Sequence, residues 1–282
     1  MSFNKTTIIG VGLIGASFAL ALKKNKLCHN ISGSGRTENN LAAALKRGVI
    51  DSYSLNHADA CRDADLIVLA TPVGCFNDII ADIKDVLKKD SIVTDVGSTK
   101  SDLIGLLEKE MPDGVTFVGT HPIAGSDRSG AEAATADLFK GALCILTPTE
   151  RTERTSFEII EKLWNDIGAH TVTMSPDEHD RVFSLVSHLP HVMSSALVKT
   201  VSDIDPSYIN FSGRGFRDAT RIAMSSPDLW TDICRSNRDN IMKHLTLLSG
   251  NLTLIRELLE KEDYDSVKSL LQKARELRKT VE

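Results

Sequence analysis

The feature that most constrains this chain is a strand that runs directly into a glycine loop and then into a helix, all near its start. Thr6-Thr7-Ile8-Ile9 is a β-branched run, Gly10-Val11-Gly12-Leu13-Ile14-Gly15 supplies G-x-G-x-x-G, and Ala16-Ser17-Phe18-Ala19-Leu20-Ala21-Leu22 continues with helical character. Strand, glycines and helix in that order form the dinucleotide-binding fingerprint in the context it requires. The first glycine permits the tight turn, the second lets the backbone approach a pyrophosphate, and the third lets the helix pack on the strand. The phosphates then rest on the helix N-terminus, so Gly10, Gly12, Leu13, Ile14 and Gly15 are the first candidate cofactor contacts.

Strand and helix patterns alternate through the following 150 or so residues. Ile31 to Gly35 reads as the end of a second strand and Asn39 to Arg47 as a helix. Ala64 to Ala70 is an apolar run of the buried-strand type, and Phe76 to Leu87 has helical spacing of Ile79, Ile80, Ile83 and Leu87. Ser91–Asp95, Val115–Gly119 and Leu143–Thr147 are further strands, followed by a charged helix from about Glu150 to Trp164. This alternation predicts an α/β fold: a Rossmann-type, doubly wound, mainly parallel sheet with helices on both faces. Beyond Val172 the texture changes to long helical periods, at Asp177–Leu189, His191–Asp203, Pro227–Gly250 and Asn251–Arg278. Ser175-Pro176-Asp177-Glu178 opens this part with a cap, a first-position proline and first-turn acids. The expected division is a dinucleotide-binding domain over 1–172 and an all-helical domain over 173–282. The apolar stripes of the latter suit dimerisation.

Composition narrows the class. The 282 residues have a formal net charge of −5, which gives no electrostatic footprint for nucleic acid. No apolar run approaches membrane-spanning length, and the first residues lack the features of a signal peptide. Five scattered cysteines (Cys28, Cys61, Cys75, Cys144 and Cys234) form no C-x-x-C, and the histidines make no metal-type cluster. The expectation is a cytoplasmic protein without a metal. At this length no added regulatory domain is expected.

In an open α/β sheet the ligand site lies outside the carboxyl ends of the strands. Thr71-Pro72-Val73 follows one strand end with small residues able to lie along a dinucleotide. Asp95-Val96-Gly97-Ser98-Thr99-Lys100 brings a hydroxyl and a cation to another. His121, in Thr120-His121-Pro122-Ile123-Ala124-Gly125-Ser126-Asp127, sits at a third and is well placed for acid–base work. In the helical part, Ser187-His188-Leu189-Pro190-His191 sets two imidazoles around a proline break. Ser212 to Arg221 combines glycines with Arg214, Arg217 and Arg221. On a helical turn Arg217 and Arg221 share a face, as do Asp218 and Arg221, and guanidinium forks suit carboxylates.

The glycine loop, Asp95–Lys100, the His121 loop, Ser187–His191 and Gly213–Arg221, taken in order and spacing over nearly the whole chain, resemble the prephenate/arogenate dehydrogenases of tyrosine biosynthesis. The glycine loop is widely shared, whereas the histidine loop together with S-H-L-P-H and G-x-G-F-x-D-x-T-R is far more specific. The resemblance implies an NAD(P)-dependent oxidoreductase with a helical dimerisation domain, a homodimer with a small-molecule substrate. By the same resemblance His121 takes the proton of the ring C4 hydroxyl during hydride transfer, and Ser98 orients His121 beside the nicotinamide. His191 binds substrate with His188 in support, and Arg221 holds a carboxylate. Asp127 and Asp218 join Arg221 in an ionic network, and Trp230 reaches the partner subunit's site.

One place departs from the NAD pattern. At the end of the second strand, where an acid usually holds the ribose hydroxyls, the chain reads Gly33-Ser34-Gly35-Arg36-Thr37. Ser34 and Arg36 suit a 2′-phosphate, which tilts the expectation slightly from NAD to NADP, while an arginine here equally suits stacking on the adenine of NAD. Two rival classes share the fold: other Rossmann-plus-helical reductases, and a non-catalytic dinucleotide sensor. Neither accounts for Ser98, His121, His191 and Arg221 together.

Overall fold

The central strands are mostly buried because both sides of the sheet are covered. In a computed structural model, which describes residues 2–125 and 130–281, the nucleotide-binding half begins with β1 (Phe3–Ile9), α1 (Leu13–Lys24), β2 (Cys28–Ser34), α2 (Glu38–Lys46), β3 (Ser52–Ser54) and α3 (His57–Cys61). It continues through β4 (Leu66–Leu69), α4 (Phe76–Ile83), β5 (Ile92–Asp95), α5 (Ser101–Glu110), β6 (Thr116–Pro122), β7 (Leu143–Thr147), α6 (Arg154–Asp166) and β8 (His170–Thr173). The described strands form one sheet in the order β3-β2-β1-β4-β5-β6-β7-β8. Every neighbouring pair is parallel except β6 and β7. The fold is therefore the expected mainly parallel one, with β3, α3 and β8 as short additions that periodicity alone did not single out.

Two cores flank this sheet. On one face Phe18 of α1 and Trp164 of α6 meet at 5.0 Å between ring centroids, with Phe139 against both, over Ile8 and Val68. On the other, Ile79, Ile80 and Ile83 of α4 and Ile104 and Leu107 of α5 cover Ile9, Ile67, Leu69 and Val93. Strand order reverses direction at β1, with β2 on one side and β4 on the other, and a cleft opens at the carboxyl ends of that switch point.

Helices follow. Ser175 caps α7 (Pro176–Phe183) by accepting from the Glu178 N–H at 3.2 Å, as its sequence foretells. A π-helical turn at Ser184–His188 leads without interruption into α8 (Leu189–Ile204), so the expected break at Pro190 is not a break. Proline lacks an N–H, but in the first turn of α8, after a wider turn, it forfeits no needed donor. Short 3-10 turns at Pro206–Phe211 and Arg221–Met224 flank α9 (Arg214–Thr220), and α10 (Pro227–Ser236), α11 (Arg238–Glu260) and α12 (Tyr264–Arg278) complete the chain.

The helix boundaries expected at Gly250 and Asn251 are thus corrected. Gly250 lies inside α11, where it costs about 1 kcal/mol of propensity without ending the helix. The breaks fall instead at Asn237, whose side chain is committed to tertiary partners, and before Asp263, which caps α12 by accepting from the Ser266 N–H at 3.0 Å. Among the described residues no helix is long and apolar enough to cross a membrane.

Candidate active site

The glycine loop has the geometry of a cradle. Gly10 has φ +98°, and a Cβ there would stand 2.6 Å from the carbonyl carbon and oxygen of Ala70. At Gly15 a Cβ would meet the Gly10 carbonyl oxygen at 2.2 Å, so this glycine serves the packing of α1 on β1. At Gly12 the added Cβ would meet nothing within 4 Å, which leaves open space above the first turn of α1. That turn contains Leu13 and Ile14 and has no capping side chain among the described residues, so its N–H groups suit an anion. The cleft beside it, about 510 Å³, is lined by Gly10, Gly12, Arg36, Thr71, Pro72 and His57 among others. These residues fit a dinucleotide.

Two of the expected cofactor contacts lie elsewhere. Val73 is turned into the core with Phe76 and Ile79, so it supports the loop from beneath. Ser34 is fully buried; its hydroxyl donates to the Ser54 carbonyl at 2.8 Å and faces His57 Nδ1 at 2.8 Å. The last four residues of β2, Ile31 to Ser34, are all buried in the sheet. The Ser34 hydroxyl therefore steadies His57 on the cleft wall and is not itself a phosphate ligand. Gly35, Arg36 and Thr37 line the cleft at the end of β2, while Asp78 and Asp82 of α4 line another part of its wall.

Beyond this cleft, the carboxyl end of β6 holds His121 among buried polar groups. Its Nδ1 lies 2.8 Å from Nε2 of His179, and the Nδ1 of His179 lies 2.8 Å from Oδ1 of Asp180. Both residues belong to α7. Phe183, one turn on, stacks on His179 at 4.5 Å and touches His121 at 4.9 Å. Asp180 in turn accepts the N–H of Lys100 at 2.9 Å and that of Ser101 at 2.8 Å, so an acid of the helical half caps α5 of the sheet half. Lys100 is fully buried and its Nζ bonds Asp95 at 2.7 Å and the Gly97 carbonyl at 2.6 Å. Burial first, then the nearby Lys100 ammonium, hold His121 well below the ordinary imidazole range. His179 is lowered too, by burial that outweighs the pull of Asp180. Both rings are neutral at pH 7.

The second pair of histidines comes from the π turn and α8. His188 bonds Asn237 Nδ2 at 3.1 Å through Nδ1, and burial depresses it to about 4 although Asp180 and the Ser98 backbone act in the opposite sense. His191 lies under Trp230 of α10, the rings 3.4 Å apart and 7° from parallel. Nδ1 of His191 and the hydroxyl of Ser194, one turn further along α8, are buried and have no hydrogen-bond partner among the described residues. Such groups are costly to bury unless something polar completes them, and a bound ligand does that.

Several expectations change with this geometry. Among the described residues no hydrogen bond joins Ser98 to His121; the orienting contact comes from His179, because α7 reaches across to Nδ1. Arg217 and Asp218 are exposed on α9, and the helix tightens into a 3-10 turn at Arg221, so α-helical spacing does not carry through to that arginine. The turn bearing Arg221 packs on α8. Trp230 stacks on His191 of its own chain. Asp127 lies outside the described residues. Sequence reasoning missed His179, Asp180 and Asn237. The acids after Pro176 read as helix-start signals, and only the His179/Phe183 spacing hinted at a buried face.

Comparison with known proteins decides the family. A model of the prephenate dehydrogenase nucleotide-binding domain matches residues 18–173, and one of the prephenate dehydrogenase dimerization domain matches residues 175–273. This chain belongs to the prephenate dehydrogenase family. It is 37% identical to prephenate dehydrogenase of Bacillus subtilis over 99% of this chain and 76% of the relative. It is 35% identical to cyclohexadienyl dehydrogenase of Zymomonas mobilis over 93% of this chain and 91% of that protein. The crystal structure of Aquifex aeolicus prephenate dehydrogenase with hydroxyphenyl propionate and NAD+ is 34% identical. It superposes with a TM-score of 0.94, covering 100% of this chain and 99% of that one. Membership makes the chain an NAD(P)-dependent oxidoreductase of tyrosine biosynthesis, acting by oxidative decarboxylation.

Proposed function

We propose that His121 is the general base of this oxidative decarboxylation and that the helical half, residues 173–282, supplies the substrate pocket over the dinucleotide-binding half, residues 1–172. The observation that carries this reading is a neutral, buried imidazole at a strand end, beside a nucleotide cleft and backed by a second histidine. Prephenate and arogenate each have a cyclohexadiene ring with a C4 hydroxyl and a ring carboxylate. When bound, the nicotinamide accepts the hydride from C4. The hydroxyl proton passes to His121, the ring carboxylate leaves as CO₂, and its bonding electrons complete the aromatic phenol. Aromatisation makes the step irreversible. General-base help of this kind is worth about 10²–10⁴-fold.

His191, with its unpartnered Nδ1, and His188 receive polar groups of the substrate, and Trp230 holds His191 in plane. Arg221, aided by Arg217 and Asp218, binds a carboxylate, and Asp127 joins that charge network. Ser98, in the loop after β5 and with its backbone against His188, faces the nicotinamide. Arg36, with no acid at Gly35, favours NADP over NAD. The chain works in the cytoplasm as a homodimer through its helices. Apolar side chains such as Ile204, Phe211 and Met224 are largely exposed in the single chain, which supports that assembly. A turnover assay crossing prephenate and arogenate with NAD and NADP tests the reading. Absence of CO₂ release with all four pairs would end it.

A further inference from the structure

We propose that Asp180 and His179 form a positioning pair that fixes His121 in the tautomer with its proton on Nδ1 and a bare lone pair on Nε2. This inference rests on the reading of His121 as the base, and it explains how that base is kept ready.

The argument starts from Asp180, which is 1% exposed. Its Oδ1 accepts the Lys100 N–H and its Oδ2 accepts the Ser101 N–H, both at the start of α5. Backbone N–H groups only donate, so the carboxylate presents lone pairs all round, including towards His179 Nδ1 at 2.8 Å. That nitrogen must carry the proton. A neutral imidazole has one N–H, so Nε2 of His179 is an acceptor. Facing it at 2.8 Å is Nδ1 of His121, which must then be the donor. The remaining nitrogen, Nε2 of His121, has no proton and is free to take one.

Burial enforces the choice. His179 is fully buried and His121 nearly so, so water cannot supply an alternative partner cheaply. The groups facing the pair are Lys100 and Asp95 from the loop after β5, Asp180 from α7, and His188 from the π turn. The cation and the burial both act against a second proton on either ring. The relay is anchored in the N-terminus of α5, so the base is set only when α7 of the helical half is docked on the sheet half.

The test reads the tautomer directly. In the full-length wild-type enzyme carrying ¹⁵N-histidine at about pH 8, long-range ¹H–¹⁵N spectra report which nitrogen of His121 holds the proton, with His121→Asn used only to assign the signal. The proposal expects Nδ1–H; an Nε2–H pattern overturns it, whatever the activity. Asp180→Ala removes the acceptor that faces His179 Nδ1, so neither ring is held in one tautomer. Its kcat is expected to fall by about tenfold or more, short of the ~10⁴-fold seen when a catalytic histidine is held in the wrong tautomer. Nucleotide KM should be retained. His179→Gln keeps an acceptor opposite His121 and should retain at least tenfold more kcat than His179→Leu. Equal losses in Gln and Leu, or wild-type kcat in Asp180→Ala, overturn the proposal. If instead His121→Asn turns over normally while the wild-type signal is Nδ1–H, the base assignment fails and the tautomer relay stands.

Discussion

The ammonium of Lys100 and the carboxylate of Asp95 meet at 2.7 Å with 0% and 1% of their side chains exposed. Each charge is buried only because the other is there, and the Gly97 carbonyl and the N–H groups of Gly97 and Thr120 complete their bonding. Removing one partner strands the other, which costs about 3–5 kcal/mol in buried pairs. Lys100→Met should therefore lower unfolding free energy by about that amount in urea titrations. It should also move the acid limb of activity upward, because the cation that disfavours protonation of His121 is gone.

The base itself gives a kinetic signature. His121→Asn should cut kcat by roughly 10²-fold or more and leave nucleotide affinity, measured by fluorescence titration, close to wild type. In the wild-type enzyme kcat should fall on the acid side only well below pH 6.5, since the folded protein holds His121 neutral to lower pH. A limb at or above 6.5 would place another group in control.

Stability should share this acid sensitivity. His121, His179, His188 and His191 all have folded-state values below the ordinary 6.5, with His188 at about 4. Below pH 6.5 the unfolded chain binds protons that the folded chain refuses, so stability is full above that pH and is lost as pH falls. Each such histidine contributes a slope of up to about 1.4 kcal/mol per pH unit. Denaturation midpoints at pH 7.5, 6 and 5 should decline accordingly, and His188→Asn should flatten the decline.

Substrate capture is expected to depend on Arg221. Loss of a charge-assisted bond to a carboxylate costs about 1.5–3 kcal/mol, so Arg221→Ala should raise substrate KM tens- to a hundred-fold while nucleotide KM holds. An unchanged KM would remove this arginine from the pocket.

Cofactor preference turns on the end of β2. Arg36→Ala should weaken NADP more than NAD, and Gly35→Asp should shift kcat/KM towards NAD by repelling a 2′-phosphate and bonding ribose hydroxyls. The position is permissive, since a Cβ at Gly35 meets only Leu41, at 3.9 Å. If wild type already prefers NAD strongly, Arg36 stacks on the base and the preference is misread.

What the sequence made legible follows from how local each signal is. The glycine cradle, the Ser175 cap and the alternating strands are written in neighbouring residues, and they stand where expected. His121 was visible because a strand end and a proline frame it. His179 and Asp180 were not, because their chemistry arises only when α7 crosses to α5, a contact between residues 79 and 80 positions apart. Ser34 failed for a related reason: its neighbourhood was right, but Ser54 and His57, 20 and 23 positions away, claim its hydroxyl. The end of α10 was misjudged because Asn237 answers to Asp180 and His188, partners that no window around it contains.

The π turn at Ser184–His188 has a consequence for how this chain tolerates change in length. An α-helix advances about 100° per residue, and a π turn holds one residue more, so everything after it is rotated by about that angle against α7. His179 and Phe183 lie before the turn, His188 ends it and His191 follows it, and all four line one site only at this angular phase. Deleting Leu185 or Val186, both well exposed, would remove no core contact. It would swing His191 out from under Trp230 all the same. In most proteins the safe places to lose a codon are surface positions; here an indel on the surface of a helix is as damaging as one in the core.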